Sequence, residues 1–395
     1  MPQVQDVVFL AGRRTPIGAF LGSLSRVSAT HLGSAAARAA IEASGVDAAE
    51  IDGVYFGNVI QSSKDAVYLA RHVGIEAGVP IETPALTVNR ACGSGLEAIV
   101  QGAKSLAVGE ARLVLAGGAE NMSMTPYAMR GVRQGWRMIK SDVDDVLFSA
   151  LYDPKAGCSI GETVEHLAQE EGITRAEADA AAVRGQERAA RAQEQGVFAE
   201  EITPVDVGRR GKPRFVERDE CPRPDSSLET LGALPGLFAP DGINTAGNSC
   251  GLNDAGAATL VTTLAHAETL GATPRGRLVS WGTVGVEPKR MGLGPAGACR
   301  QALEDAGLEL SQIDLVELND SFTAQAIALE RALELDPERV NVNGGAIALG
   351  HPMAATGTRL VTAALNELHR RQGRYALCTV CVGGGQGIAL VVERI

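Results

Sequence analysis

Residues 41–58 and 303–320 of this 395-residue chain carry the same pattern. IEASGVDAAEIDGVYFGN and LEDAGLELSQIDLVELND align without a gap at an offset of 262 residues (41 to 303), matching Glu42 to Glu304, Gly45 to Gly307, Ile51 to Ile313 and Asp52 to Asp314. The same offset sets Ser94-Gly95 on Thr356-Gly357 and Leu115 on Leu377. Distant segments that share one offset point to two duplicated halves, with chance recurrence of a helix–loop–strand pattern as the competing reading. Upstream of Thr356 the offset falls to 254, where Val88-Asn89 resembles Val342-Asn343. The second half therefore holds about eight extra residues there, among them Gly350-His351-Pro352. A loop added where a strand meets a helix is a usual seat of function.

Each half alternates strands and helices. The first reads as a strand over 6–10, a helix over 28–44 stopped by Gly45, and strands over 53–56 and 85–88. The last strand runs into a helix over 93–108, and a strand over 112–116 follows. Alternation of this kind predicts a layered α/β fold. The chain is too long for one ordinary domain. We divide it into an N-terminal half over 1–121 (completed by about 251–271), an inserted loop domain over 122–250, and a C-terminal half over 272–395. Within the insertion, 177–195 is an Ala/Glu/Arg-rich helix, and 208–224, rich in Arg, Lys, Pro and Gly, reads as turns.

A formal net charge of −11 leaves no global basic field for nucleic acid, so an anionic substrate needs a local basic patch. The opening apolar run VVFLAG lacks the basic flank and length of a signal peptide or membrane span, and the C-terminus carries no lipidation or peroxisomal signal. Seven cysteines, an odd number without a secretory signal, favour reactive or buried thiols over disulfides. These features predict a cytoplasmic protein that binds neither membrane nor nucleic acid.

Cys92 stands where the 85–88 strand gives way to a helix, within Asn89-Arg90-Ala91-Cys92-Gly93-Ser94-Gly95-Leu96. A thiol at a helix N-terminus feels the positive end of the dipole, which predicts a lowered pKa and a nucleophile. A small buried cysteine in a tight turn is the alternative. His351, held between Gly350 and Pro352, suits a base for a thiol or a donor to an oxyanion, and suits a structural role equally. Cys381 opens Cys381-Val382-Gly383-Gly384-Gly385-Gln386-Gly387 after a strand over 375–380, and such a Gly run presents bare N–H groups to an anion or oxyanion. It is not the dinucleotide fingerprint, because Ile388 holds the last Gly position. The Cys378/Cys381 pair straddles a strand end rather than opening a helix, which argues against redox chemistry, and no further ligands are near for zinc. Asn319, after a strand over 314–318, suits holding a water or an oxyanion, or capping the next helix.

Together NRACGSGLEAI, NGGAIALGHPMAATG and CVGGGQG resemble, in order and spacing, the three motif blocks of the thiolase family. The resemblance spans nearly the whole chain and implies a five-layered αβαβα fold built from two similar halves. It implies that Cys92 is acylated by an acyl thioester, that His351 activates Cys92, and that Cys381 is the acid and base at the substrate α-carbon. One oxyanion hole would use His351 with a water held by Asn319, the other the N–H groups of Cys92 and Gly383. The reaction would be reversible Claisen condensation and thiolysis of acyl-CoA, by an acetyl-CoA acetyltransferase or a 3-ketoacyl-CoA thiolase. It would need no metal or other cofactor, with coenzyme A as substrate. The inserted domain would cover the pantetheine arm, with Arg209, Arg210, Lys212 and Arg223 as candidates for the CoA phosphates and Ser249 and Cys250 beside the arm. A homodimer or homotetramer is implied.

The chain departs from the family pattern in four places. NEAF is here Asn319-Asp320-Ser321-Phe322, and GHPxGASG is Gly350-His351-Pro352-Met353-Ala354-Ala355-Thr356-Gly357, with added methyl groups at Ala354 and Thr356. HMG before TAEN is Ser159-Ile160-Gly161, and the Ser of NASGLND is Cys250. These changes leave every catalytic group and put the acyl specificity in question. A β-ketoacyl synthase-like condensing enzyme, which lacks a counterpart of Cys381, and an inactive thiolase-like CoA-binding subunit are the competing readings.

Overall fold

The computed structural model describes residues 6–135, 143–208 and 211–395. Arg209 and Arg210 lie outside the described residues.

The first half contains β1 (Val7–Arg14), α1 (Ala29–Ser44), β2 (Gly53–Gly57), α2 (Leu69–Glu76), β3 (Ala85–Val88), α3 (Ser94–Ala107) and β4 (Leu113–Asn121). The span 122–250 adds α4 (Ile160–Glu170), α5 (Arg175–Glu194) and short two-stranded pairings; β5 (Asn253–Thr263) then returns to pair antiparallel with both β4 and β1. The second half contains β6 (Gly276–Gly285), α6 (Gly294–Ala306), β7 (Leu315–Leu318), α7 (Thr323–Leu333), α8 (Met353–Arg371), β8 (Tyr375–Val382) and β9 (Gln386–Arg394). The strand order is β7-β8-β9-β6-β1-β5-β4-β2-β3.

The halves are copies in topology. In the first, β3-β2-β4-β5-β1 follows the connectivity that β7-β8-β9-β6 repeats in the second. The counterpart of β3 is reduced there to a single parallel bridge between Val340 and Val316. The repeated sequence does the same physical work twice. Gly45 and Gly307 each end a helix in the left-handed conformation, φ 70° and 65°. The Asp52 carboxylate accepts the N–H groups of Arg112 and Leu113 at 2.9 and 3.0 Å, and the Asp314 carboxylate accepts those of Arg374 and Tyr375 at 2.7 and 3.0 Å. Each Asp thereby fixes the start of its neighbouring strand.

β1 and β6 join the two lobes of the sheet through Val8–Arg277 and Phe9–Gly276. Helices α3 and α8 lie between the lobes. Leu96, Ile99 and Val100 of α3 and Leu360, Val361 and Ala364 of α8 share one buried cluster with Val114, Ala116 and Val261 of one lobe and Val380, Val382 and Ile388 of the other. Helices α1 and α2 cover the first lobe, and α6 and α7 cover the second. The result is the five-layered αβαβα order. β4 runs on past Ala116 to Asn121, through a buried Ala-Gly-Gly-Ala stretch that has no β-branched signal.

Small residues let α3 and α8 cross closely. A methyl at Gly95 would lie 2.6 Å from the Ala354 carbonyl oxygen and 3.1 Å from the Gly357 nitrogen, and one at Gly357 would lie 2.4 Å from the Leu96 nitrogen. Gly95 and Gly357 are the positions that the repeat equates. β1 anchors the 122–250 span through Arg14, which is 1 % exposed and donates to Glu201 at 2.8 Å and to both Asp219 oxygens at 2.7 and 2.9 Å. A buried charge of this kind is tolerable only when fully paired. Among the described residues no helix is long and apolar enough to cross a membrane.

Gly95→Ala should destabilise the protein by about 1–3 kcal/mol, because the added methyl meets backbone that cannot yield. Gly185→Ala, in α5 with open space around the site, should instead stabilise it by about 0.5–1 kcal/mol. Denaturant midpoints of the two variants check the contrast.

Candidate active site

β3 ends at Val88, and the chain turns through Asn89, Arg90 and Ala91 before α3. Ala91 takes φ +40°, a conformation an L-residue adopts only under constraint. Its N–H donates to the Asn89 side chain at 2.9 Å, and the Ser94 hydroxyl accepts the Arg90 N–H at 2.9 Å and donates to the Ala91 carbonyl at 2.6 Å. This elbow presents Cys92 at the mouth of α3. The bulk that Gly93 avoids is that of Ile388 and Val382 from the other lobe, both within 3 Å of where a methyl would stand.

His351 arrives from the second half, in the loop ahead of α8, and is 5 % exposed. Gly350 takes φ +105°, and a methyl there would lie 2.6 Å from the Asn253 side chain. Asn253 uses that space. Its Oδ1 accepts the His351 N–H at 2.8 Å while its Nδ2 donates to the Gly18 carbonyl at 2.9 Å. His351 Nδ1 lies 2.8 Å from the Thr356 hydroxyl, which donates to the Pro352 carbonyl at 3.2 Å. With its proton committed to Pro352, Thr356 Oγ1 accepts from Nδ1–H. Nε2 is therefore the bare nitrogen able to take a proton.

Asn319 follows β7 and brings its Nδ2 to 3.5 Å from His351 Nε2, the outer limit of a hydrogen bond. Its Oδ1 is buried with no hydrogen-bond partner among the described residues. A buried amide oxygen without a partner is a site for an ordered water. α7 begins at Thr323 with Phe322 at its cap, so Asn319 does not cap that helix.

Cys381 is 2 % exposed and belongs to β8, which extends to Val382 rather than stopping at Val380. Its Sγ lies 3.3 Å from the Ser321 hydroxyl. Cys378 and Cys381 project to opposite faces of the strand, into different apolar clusters, as their spacing of three requires. The turn after β8 sets Gly384 and Gly385 at φ 86° and 83°, and the backbone N–H of Gly383 faces the Cys92 sulfur.

The electrostatics reverse one expectation from sequence. The Cys92 thiol is not held below its ordinary value but pushed up to about 12, first by burial and then by the neighbouring Cys381 sulfur; the Gly383 and Cys92 N–H groups only partly oppose this. Desolvation outweighs what one helix end supplies. His351 is pushed the other way, down to about 3, by burial and by the Arg359 charge. Cys381 is also raised, by burial first, with the Asp320 charge adding to it and the Ser321 hydroxyl opposing it. The resting site therefore holds a neutral imidazole and protonated thiols.

Candidate CoA contacts divide. Ser249 and Cys250 lie on the segment that bridges to Phe322, with the Cys250 N–H donating to the Ser321 carbonyl at 2.8 Å. Cys250 is close enough for Cys92, Asp320 and Cys381 to raise its pKa further, after burial. The Ser249 hydroxyl is buried without a hydrogen-bond partner among the described residues. Arg223 is exposed, and its N–H donates to Gln186 of α5 at 2.7 Å. Lys212 instead lines a separate cleft with Arg26, His31 and Arg214.

Sequence reasoning missed four supporting residues. Thr356 stood out only for its added methyl, yet its hydroxyl orients His351. Ser321 stood out only as part of the altered Asn319-Asp320-Ser321-Phe322 stretch and Asn253 gave no signal, because their partners are far away in the chain. Glu120 is fully buried at the end of β4 and accepts the N–H groups of Val59, Ile60 and Ala354 at 3.1, 3.0 and 3.3 Å, with burial raising it to about 7. A lone Glu closing an apolar strand was its one sequence signal.

Residues 7–265 match the family described as Thiolase, N-terminal domain, and residues 272–394 match Thiolase, C-terminal domain. The chain is 46 % identical to the beta-ketothiolase BktB of Cupriavidus necator over 99 % of its own length and 100 % of that protein's. It is 44 % identical to the acetyl-CoA acetyltransferase of Pseudomonas aeruginosa, at the same coverage of each chain. The crystal structure of human mitochondrial 3-ketoacyl-CoA thiolase in complex with CoA superposes with a TM-score of 0.97 at 42 % identity, covering 99 % of this chain and 98 % of that one.

The depressed His351 titration has a consequence for stability. Unfolded, the imidazole takes up a proton near 6.5; folded, it does so only near 3. The unfolded state thus binds more protons between those values, and stability falls as pH drops below 6.5. Between pH 6.5 and 5 the wild type should lose about 1–2 kcal/mol more than His351→Asn, as read by denaturant unfolding at each pH. Thr356→Val, which keeps the shape but removes the hydroxyl, should lower turnover at least about tenfold, while Thr356→Ser retains it.

Proposed function

The chain belongs to the thiolase family and is an acyltransferase, and from that premise we propose how its own residues carry reversible Claisen condensation and thiolysis of acyl-CoA. One observation supports the reading: the Cys381 sulfur and the Gly383 N–H, from the second half, lie beside the Cys92 sulfur, from the first, and Asn319 lies beside His351.

Cys92 attacks the thioester carbonyl and passes its proton to Nε2 of His351. CoA leaves as the thiol by taking the proton of Cys381, so that Cys381 becomes the thiolate while Cys92 carries the acyl group and His351 keeps its proton. The Cys381 thiolate then takes the α-proton of acetyl-CoA. The resulting enolate attacks the acyl-cysteine, so that a C–C bond forms and the C–S bond breaks, Cys92 leaving as a thiolate that takes its proton back from His351. Thiolysis is the same path in reverse. The bare Nε2 of His351 suits the first proton transfer. The unpartnered Oδ1 of Asn319 supports a held water that, with protonated His351, stabilises the enolate oxygen. The Cys92 and Gly383 N–H groups, both near the Cys92 sulfur, support the second oxyanion hole. Two such holes are needed because the enolate and the tetrahedral intermediate place negative charge at different points. No metal or other cofactor enters these steps; coenzyme A is a substrate.

The 122–250 span is proposed to form an inserted loop domain over the pantetheine arm, with Arg223 toward the phosphates and the Ser249 hydroxyl and Cys250 beside the arm. Ile160, Phe238 and Phe322 belong to the apolar cluster that contains Cys381, a wall that supports acyl groups longer than acetyl. A homodimer or homotetramer is supported by the half-exposed edge strand β3, whose Leu86 is 49 % exposed, since an open edge invites pairing. Seven free cysteines support a cytoplasmic location.

The test is CoA-dependent cleavage of 3-ketoacyl-CoAs of increasing length, with mass analysis of Cys92. Cleavage should fall at least about 10³-fold in Cys92→Ala and in Cys381→Ala, with an acyl adduct on Cys92 in the wild type. Turnover of some longer 3-ketoacyl-CoA should exceed that of acetoacetyl-CoA. Acylation without cleavage would favour a β-ketoacyl synthase-like condensing enzyme, and neither would favour an inactive CoA-binding subunit.

A further inference from the structure

The turn after β7 sends successive side chains to different tasks. Asn319 faces His351, and the Asp320 carboxylate turns away to accept the Ala346 N–H. Ser321, 6 % exposed, sets its hydroxyl 3.3 Å from Cys381 Sγ. Among the described residues that hydroxyl has no other hydrogen-bond partner, and no other side chain makes a hydrogen bond to this sulfur. The turn itself is clamped: the Ser321 carbonyl accepts the Cys250 N–H at 2.8 Å, Ser249 bridges Phe322, and the Thr323 N–H donates to the Asn248 carbonyl at 3.0 Å. The hydroxyl is therefore held at one distance while its proton stays free to rotate. The thiolase pattern NEAF places Ala where this chain has Ser321, so the contact is not part of the common apparatus that the motif describes.

We propose that Ser321 is a positioning residue for the reaction, its hydroxyl orienting the Cys381 sulfur and stabilising its thiolate by donating a hydrogen bond. This rests on Cys381 being the base of the thiolase reaction. When Cys381 is a thiol, the hydroxyl accepts S–H; when the sulfur is ionised, the O–H turns and donates. In the proton-transfer step the α C–H bond of the acyl-CoA breaks, its proton forms S–H on Cys381, and the electron pair becomes the enolate. Ser321 neither gains nor loses a proton. It counters what disfavours the thiolate: burial, the Asp320 charge, and the nearby Cys92 and Cys250 sulfurs, which repel it when ionised. A charge-assisted hydrogen bond in a dry site is strong enough to matter.

The test uses the full-length protein without substrate. In a Cys92→Ser background, so that the nucleophile does not react first, alkylation of Cys381 by iodoacetamide is followed against pH and quantified on its peptide, separately from Cys250. Ser321→Ala should raise the apparent pKa of Cys381 by about one unit or more, and Ser321→Thr should restore it. With Cys92 present, Ser321→Ala should lower kcat for condensation at pH 7 about tenfold with little change in KM. Thermal unfolding confirms that each variant is folded. Superimposable alkylation profiles for wild-type Ser321 and Ser321→Ala would overturn the proposal and leave the thiolase reading intact. A wild type that cleaves no 3-ketoacyl-CoA would sink the catalytic reading, while the alkylation profiles would still report the hydrogen bond.

Discussion

The close crossing of α3 and α8 is the constraint on which the rest depends. At Gly95 and Gly357 the two helices meet backbone to backbone, and Gly118 of β4 presses on the same place, where a methyl would lie 1.9 Å from the Ala354 carbonyl oxygen. One helix begins just after Cys92 and the other just after His351. A wider crossing would part Cys92 from His351, the proposed nucleophile and base. Catalytic groups are productive only within a fraction of an ångström of their working geometry, so the three glycines at the helix crossing bear on the precision of the site.

The same packing buries most of the site, and burial governs its electrostatics. Burial raises Cys92 and Cys381, lowers His351, and lifts the carboxyls of Glu120 and Asp320 to about 7. In such surroundings charge is costly at rest and oriented donors are strong. The resting protein avoids charge on its thiols and imidazole. A substrate that brings a carbonyl to the Cys92 and Gly383 N–H groups gives the new negative charge a partner as it forms, and such donors need not reorganise in the transition state.

On the proposed reading, the residues that would set acyl specificity lie on a different part of the chain from Cys92 and His351. Gly161 carries no side chain because the Phe238 ring fills that volume, 1.9 Å from where a methyl would stand. The Glu165 carboxylate, one turn along α4, accepts the N–H groups of Ile243 and Asn244 at 2.6 and 3.1 Å and so holds the strap that carries Phe238 against this helix. Substitutions here, such as Ile160 in the altered Ser159-Ile160-Gly161 stretch, reshape the acyl wall without touching Cys92 or His351. Catalytic groups and substrate choice can thus vary separately.

The sequence by itself determined the duplication, the strand–helix order, the elbow at Cys92 and the three motif blocks. Each of these is written in residues close together in the chain or in a pattern that recurs at a fixed offset. Gly45, Gly307, Asp52 and Asp314 are legible because their work is local: a helix stop, and a carboxylate that holds the start of a strand in the same half. Tertiary structure alone decided which side chains Cys381 and His351 touch, and in which direction Cys92 titrates. Ser321 and Cys381 stand 60 positions apart and Asn253 and His351 stand 98 apart, so no local pattern announces either pair. The helix-end argument for a reactive Cys92 failed for the same physical reason. A dipole is a property of the segment, whereas desolvation sums every atom that the fold brings near the sulfur, and here the sum is larger.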